Sequence, residues 1–199
     1  MEVIKTVPIR TTPFELKNYS LIFTSVNGVN AFFQNQFKPN EDFTSRCFNK
    51  IYCVGEKTKR ELRKYGFGTF KVLKNAEALS QFIIGNCQHE KFLHFCGNLA
   101  LDVLHQDLPL QNIRYKKIVV YHTEELNPVI HEKYKAIVFF SPSGVRSFAK
   151  HNSLEGMTLF SIGKTTSKEI KNYTQRIIFT SDDNNLVSIL SLIRNHYKS

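Results

Sequence analysis

The sequence predicts an α/β fold made from two copies of one strand–turn–helix pattern, and three observations predict it. Short apolar runs alternate with stretches of helical periodicity, as parallel strands joined by helices require. Glycine, asparagine and serine stand at the junctions, where a strand must turn into a helix. Three words of the N-terminal half also recur in the same order in the C-terminal half. LIFTSVNGV at 21–29 matches VFFSPSGV at 138–145, YCVGEKT at 52–58 matches FSIGKTT at 160–166, and NAEALSQFII at 75–84 echoes NNLVSILSLI at 184–193.

Each element follows from its residues. The run at 19–25 is rich in Ile, Phe and Thr and reads as a buried strand. A helix follows with Val29, Phe32 and Phe33 at helical spacing, capped by Ser25 or Asn27. Residues 50–54 form the next strand and Gly55 the turn; a helix runs over 57–65 and stops at Gly66 and Gly68. A short strand at 69–73 leads to Asn75 and a helix carrying Ala78, Leu79, Phe82 and Ile83 on one face. The strand at 92–96 ends in Gly97 and Asn98, followed by a helix through Leu104 and a strand at 117–121. Residues 123–132, with Asn127 and Pro128, lack periodicity and read as an interdomain connection, with 10–14 as its counterpart.

Composition narrows the function classes. Hydrophobic residues make up 42% and charged residues 22%, which excludes disorder and fibrous repeats. The apolar runs at 118–121 and 136–140 fall far short of the roughly 20 residues that span a bilayer. Nor is there a signal peptide, so a cytoplasmic protein without membrane attachment is expected. Cys47, Cys53, Cys87 and Cys96 form no C-x-x-C pair, and the seven histidines are dispersed, so reduced thiols and no metal site are expected. The net charge of +10 attracts anions, whether nucleic acid, acidic membrane or a polycarboxylate, and a solvated basic surface accounts for it as well as a specific anionic ligand does. Lys and Arg are scattered in ones and twos, and a nucleic-acid partner is not expected.

Candidate ligand contacts lie where strands run into helices, since free amides and the helix dipole there favour carboxylate or phosphate. They are Ser25, Gly28, Thr58, Gly97 and Asn98 in the first copy, and Ser141, Ser143, Gly144, Thr165 and Thr166 in the second. Helix capping alone explains any one of them; recurrence at matching turns is what favours a ligand. Tyr121 closes an apolar strand beside His122 and Thr123. A tyrosine there usually packs in a core or between domains; a phenol, protonated at neutral pH, can also serve as a general acid. Dinucleotide, P-loop and nucleophile-elbow motifs are absent, because the GEKT and GKTT turns lack the earlier glycine of a P-loop.

The ordered words FTSVNGV, VGEKT, LHFCGN, VVYHT, FFSPSGV and IGKTT resemble those of the uroporphyrinogen-III synthase family over nearly the whole chain. The resemblance implies two similar doubly wound, parallel-sheet (flavodoxin-like) α/β domains joined by a two-stranded linker, with the active site in the cleft between. The second domain, residues 10–122, would be inserted in the first, residues 1–9 and 123–199. It implies a cofactor-free hydro-lyase, expected to be a monomer, that dehydrates and cyclises hydroxymethylbilane with inversion of ring D. Tyr121 is then the proton donor, Thr58 and Thr166 are ligand contacts, and the substrate is a polycarboxylate tetrapyrrole. The family's initial strand and helix have no counterpart: MEVIKTVPI resembles its second strand, so an incomplete first domain and an uncovered apolar face beside Ile137 to Phe140 are expected. The alternatives are a non-catalytic two-domain binder of a small polyanion, a nucleotide-sugar transferase, and a basic nucleic-acid binder.

Overall fold

The computed structural model describes residues 1–198. Contacts divide the chain into two compact units, one of residues Thr6–Thr123 and one of Met1–Lys5 with the residues from Glu124 on.

In the unit Thr6–Thr123, the run Leu21, Ile22 and Phe23 is wholly buried because it forms β2 (Ser20–Phe23), which has a neighbour on each side. Parallel pairing joins it to β3 (Ile51–Val54) and to β5 (Lys91–Gly97). Outside these stand β4 (Lys71–Leu73) and the long β6 (Arg114–Glu125). β1 (Ile4–Pro8) completes the sheet against β6, with order β1-β6-β5-β2-β3-β4. Ile9 N–H donates to Val120 O and Leu126 N–H to Val3 O, so these two strands run antiparallel.

Counted from β2, the five parallel strands stand in the order 3-2-1-4-5. The flavodoxin-like order, 2-1-3-4-5, is therefore corrected: the chain steps twice to one side before it reverses, so the switch point lies between β2 and β5. Alternate residues of β2 feed opposite faces. Leu21 and Phe23 pack with Val29 and Phe32 of α1 (Val26–Gln34) and Leu62 of α2 (Glu56–Lys64). Ile22 packs with Leu79 and Ile83 of α3 (Ala76–Asn86) and with Leu104 and Leu108 of α4 (Val103–Leu110). The helix expected through Leu104 thus begins only at Val103, and the strand expected at 117–121 runs on to Glu125.

The other unit holds a three-stranded parallel sheet of β7 (Ala136–Phe139), β8 (Thr158–Ser161) and β9 (Ile178–Thr180) in sequence order. Helices α5 (Pro142–Ala149) and α6 (Lys164–Ile170) share a core with Phe139 and Leu159. α7 (Leu186–Lys198) anchors itself through the buried Ile189. Among the described residues, no strand pairs with the other edge of β7. That edge lies by a groove of about 490 Å³ lined by Met1, Val3, Ile137, Val138 and Phe140 among others, and Phe140 is 57% exposed.

Candidate active site

The chemistry-bearing turns of the unit Thr6–Thr123 converge at the switch point between β2 and β5. β2 ends at Phe23, and Ser25 then takes an extended conformation (φ −153°, ψ 154°) that lets its hydroxyl accept from the Gly28 amide at 3.0 Å. Of the two residues that could cap α1, Ser25 is the cap. Gly28 has to be glycine for packing, since a Cβ would stand 2.7 Å from the Phe95 carbonyl of β5. This close approach seats the helix start directly on the neighbouring strand.

The end of β5 supplies the second wall. A bulge between Cys96 and Gly97 shifts the register so that Gly97 faces Tyr121 of β6. The Tyr121 ring closes on Gly97, where an added Cβ would meet ring carbons at 2.4 and 2.5 Å. Asn98 fixes the backbone: its amide donates to Tyr121 O at 3.2 Å, and its side-chain carbonyl accepts from Thr123 N–H at 2.8 Å. The Tyr121 hydroxyl then meets Ser25 Oγ at 3.0 Å. Burial raises the pKa of this phenol, while the hydrogen bonds from Ser25 and from the Gly97 backbone pull it back. A half-buried phenol, pinned at ring, backbone and hydroxyl, therefore stands at the N-terminus of α1.

Five sequence candidates (Ser25, Gly28, Gly97, Asn98 and Tyr121) are thus in one place. Thr58 lies elsewhere in the same unit, in the first turn of α2, and is 3% exposed. Its side chain faces protein rather than solvent.

The remaining five candidates belong to the other unit. Ser141 caps α5 with the geometry of Ser25 (φ −159°, ψ 154°), accepting from Gly144 N–H at 3.1 Å, and Ser143 Oγ lies 3.2 Å from Ser141 Oγ. The repeat thus holds at the level of single hydrogen bonds. Thr166 is buried at 3%, as its counterpart Thr58 is, while Thr165 is exposed. The caps also occupy the amides of Gly28 and Gly144, so a ligand would have to use other amides of those turns.

A buried histidine was not legible as part of this site. His94 of β5, in the middle of LHFCGN, is 1% exposed and bridges Thr24 Oγ1 (2.9 Å, from Nε2) and Tyr115 Oη (2.6 Å, from Nδ1). Burial, helped by Lys117, pushes its pKa down to about 3, so the ring is neutral and donates at one nitrogen while accepting at the other. It holds Thr24, the residue before the Ser25 cap. The one available signal was a histidine inside an otherwise apolar strand.

Burial also pushes the Cys53 thiol up to about 12 and the Cys96 thiol to about 11, which leaves both protonated and unreactive. Among the described residues there is no group of three His, Cys, Asp or Glu that could hold a metal ion. No described helix is long and apolar enough to cross a membrane.

Comparison with known proteins gives a consistent result. A family model described as uroporphyrinogen-III synthase HemD matches residues 3–191. The porphyrin biosynthesis protein HemD of Ruminiclostridium josui is 26% identical over 79% of this chain, which spans 34% of that protein. A uroporphyrinogen-III synthase of Saccharomyces cerevisiae is 25% identical over 73% of the chain, which spans 65% of it. Among solved structures, a uroporphyrinogen-III synthetase from Helicobacter pylori superposes with a TM-score of 0.74 at 19% identity, covering 98% of this chain and 91% of that one. A mutant uroporphyrinogen III synthase from Thermus thermophilus gives 0.64 at 12%, covering 98% and 87%.

Proposed function

This chain belongs to the uroporphyrinogen-III synthase family, and from that premise we propose that it converts hydroxymethylbilane to uroporphyrinogen III, with Tyr121 as the proton donor. The observation that carries the assignment is the phenol held over Gly97 and against Ser25 at the start of α1. As the terminal C–O bond of the bilane breaks, its electron pair goes to oxygen. The Tyr121 proton turns the departing hydroxide into water. The pyrrole nitrogen shares the positive charge left on carbon, and that carbon is attacked within the same molecule by the substituted α-carbon of ring D. The bond from that α-carbon to the methylene of ring C then breaks and re-forms at the free α-carbon of ring D, which inverts the ring. The proton released when the last pyrrole regains aromaticity returns to the phenolate.

No cofactor enters these steps, and the work left to the protein is geometric. It holds a flexible chain so that the inverted ring D closes rather than the ring in its original sense. The substrate's carboxylates suit helix-start turns on a basic surface. The unit Thr6–Thr123 carries 16 Lys and Arg against 9 Asp and Glu (+7), and the other carries 11 against 8 (+3). Of the carried-over contacts, Asn98, Ser141, Ser143 and Thr165 are the ones we assign to carboxylates, while the Ser25 hydroxyl is engaged by the Gly28 amide and Tyr121. Thr58 and Thr166 are assigned to shaping their turns.

We read the fold as two doubly wound domains, residues 10–122 inserted in 1–9 and 123–199. Support comes from the repeated caps and from β1 and β6, both of which continue from one unit's residues into the other's. A cytoplasmic monomer is part of the same reading. The decisive experiment supplies freshly made hydroxymethylbilane and resolves the isomers. Type III product supports the synthase, while type I at the spontaneous rate leaves a polyanion binder. Tyr121→Phe should slow type III formation by about 10²-fold, the usual worth of a general acid; an unchanged rate removes Tyr121 from the mechanism.

A further inference from the structure

The hydrogen bonds around Tyr121 have a direction that can be worked out from their partners. The Gly28 amide can only donate, so at 3.0 Å the Ser25 hydroxyl must accept there. That hydroxyl owns one proton, and Tyr121 Oη lies 3.0 Å away. If the phenol donated to Ser25, Ser25 would accept twice and its own proton would be left over. If Ser25 donates, it is the phenol's proton that is left to point elsewhere; one proton is free either way, and the choice between them falls to the field around the two oxygens. The field of α1 favours donation by Ser25, because positive hydrogens are repelled from a helix N-terminus and oxygen lone pairs are drawn to it.

We infer that Ser25 is a positioning residue for the reaction: the relay from Gly28 N–H through Ser25 Oγ–H to Tyr121 Oη turns the phenol proton away from the protein and toward the leaving hydroxyl. This rests on Tyr121 being the proton donor. The relay does a second thing. Each link polarises the next, so the phenol oxygen that must carry charge after proton transfer already accepts hydrogen bonds.

Ser25 also caps α1, so removing it outright would mix two effects. Ser25→Asp separates them. A carboxylate caps as well as a hydroxyl does, accepting from Gly28, but it has no proton to give and draws the phenol proton inward. Ser25→Thr keeps both functions. Type III formation should fall about 10²-fold in Ser25→Asp, in kcat rather than KM and without a lower thermal midpoint, and should stay near wild type in Ser25→Thr. In the Tyr121→Phe background, Ser25→Asp should cost nothing further.

The outcomes are separable. A Ser25→Asp enzyme at the wild-type rate beside a slow Tyr121→Phe enzyme overturns the relay and leaves the proton donor standing. If Ser25→Asp slows the Tyr121→Phe background as much as it slows wild type, the added charge is repelling substrate, and the relay is again overturned. An unaffected Tyr121→Phe enzyme sinks both ideas. Near-ultraviolet titration gives a readout that needs no turnover: the Tyr121 phenol, taken as wild type minus Tyr121→Phe, should ionise at higher pH in Ser25→Asp and not in Ser25→Thr.

Discussion

β2 and β7 are two copies of one word in different settings. β2 lies between β3 and β5, and all four of its residues are buried. Among the described residues β7 pairs only with β8, and three of its four residues are half-exposed. The helices repeat the contrast. Leu79 and Ile83 of α3 are fully buried, with α4 packed alongside, whereas Leu186, Val187 and Leu190 of α7 are 53%, 75% and 53% exposed. Local patterning makes each strand and cap in both copies; it does not by itself bury them.

The largest expected effect tests that contrast directly. Leu79→Ala should destabilise its unit by about 2–5 kcal/mol, whereas Leu190→Ala should stay within about 0.5 kcal/mol. Amide exchange read separately on β2 and β7 measures both, and a large Leu190 effect would mean that the α7 face is covered in solution. Next comes pH. His94 titrates lower folded than unfolded, so its contribution is intact above the unfolded pKa near 6.5 and is lost as pH falls toward the folded value of about 3. At pH 5 the cost is roughly 2 kcal/mol. The acid limb of melting temperature against pH should flatten in His94→Gln, and an unchanged slope would mean that the ring reaches water.

A smaller effect concerns the twin caps. Ser141→Ala and Ser25→Ala should each lose about 1 kcal/mol of stability, seen in chemical denaturation. The cost in proton delivery should fall on Ser25→Ala, so equal catalytic losses would remove the distinction between the copies. The smallest is Leu190→Lys, expected to leave the denaturation midpoint in place while raising the solubility limit.

The repeated words were legible because caps are local: Ser25 with Gly28 and Ser141 with Gly144 need only four consecutive residues. Even there one pairing slips. Asn75 caps α3 through Ala78, but its counterpart is Asn185, which accepts from Ser188 N–H, so the last word aligns one residue later than its first letter suggests. This matches Leu79 to Ile189, both fully buried. Strand order was not legible, because a continuous apolar run suits any neighbour. The His94 bridge escaped for a related reason: its partners Thr24 and Tyr115 are 70 and 21 residues away and meet only when β2, β5 and β6 lie side by side. Tyr121 could be picked out from its place at a strand end, but its contacts could not, since they depend on a bulge.

β7 reads Ala-Ile-Val-Phe, with no charge, proline or bulge to blunt its bare side. Two molecules that meet there in concentrated solution can extend one sheet into the next. A lysine in place of Val138 should lengthen storage life, and dynamic light scattering over days would register it.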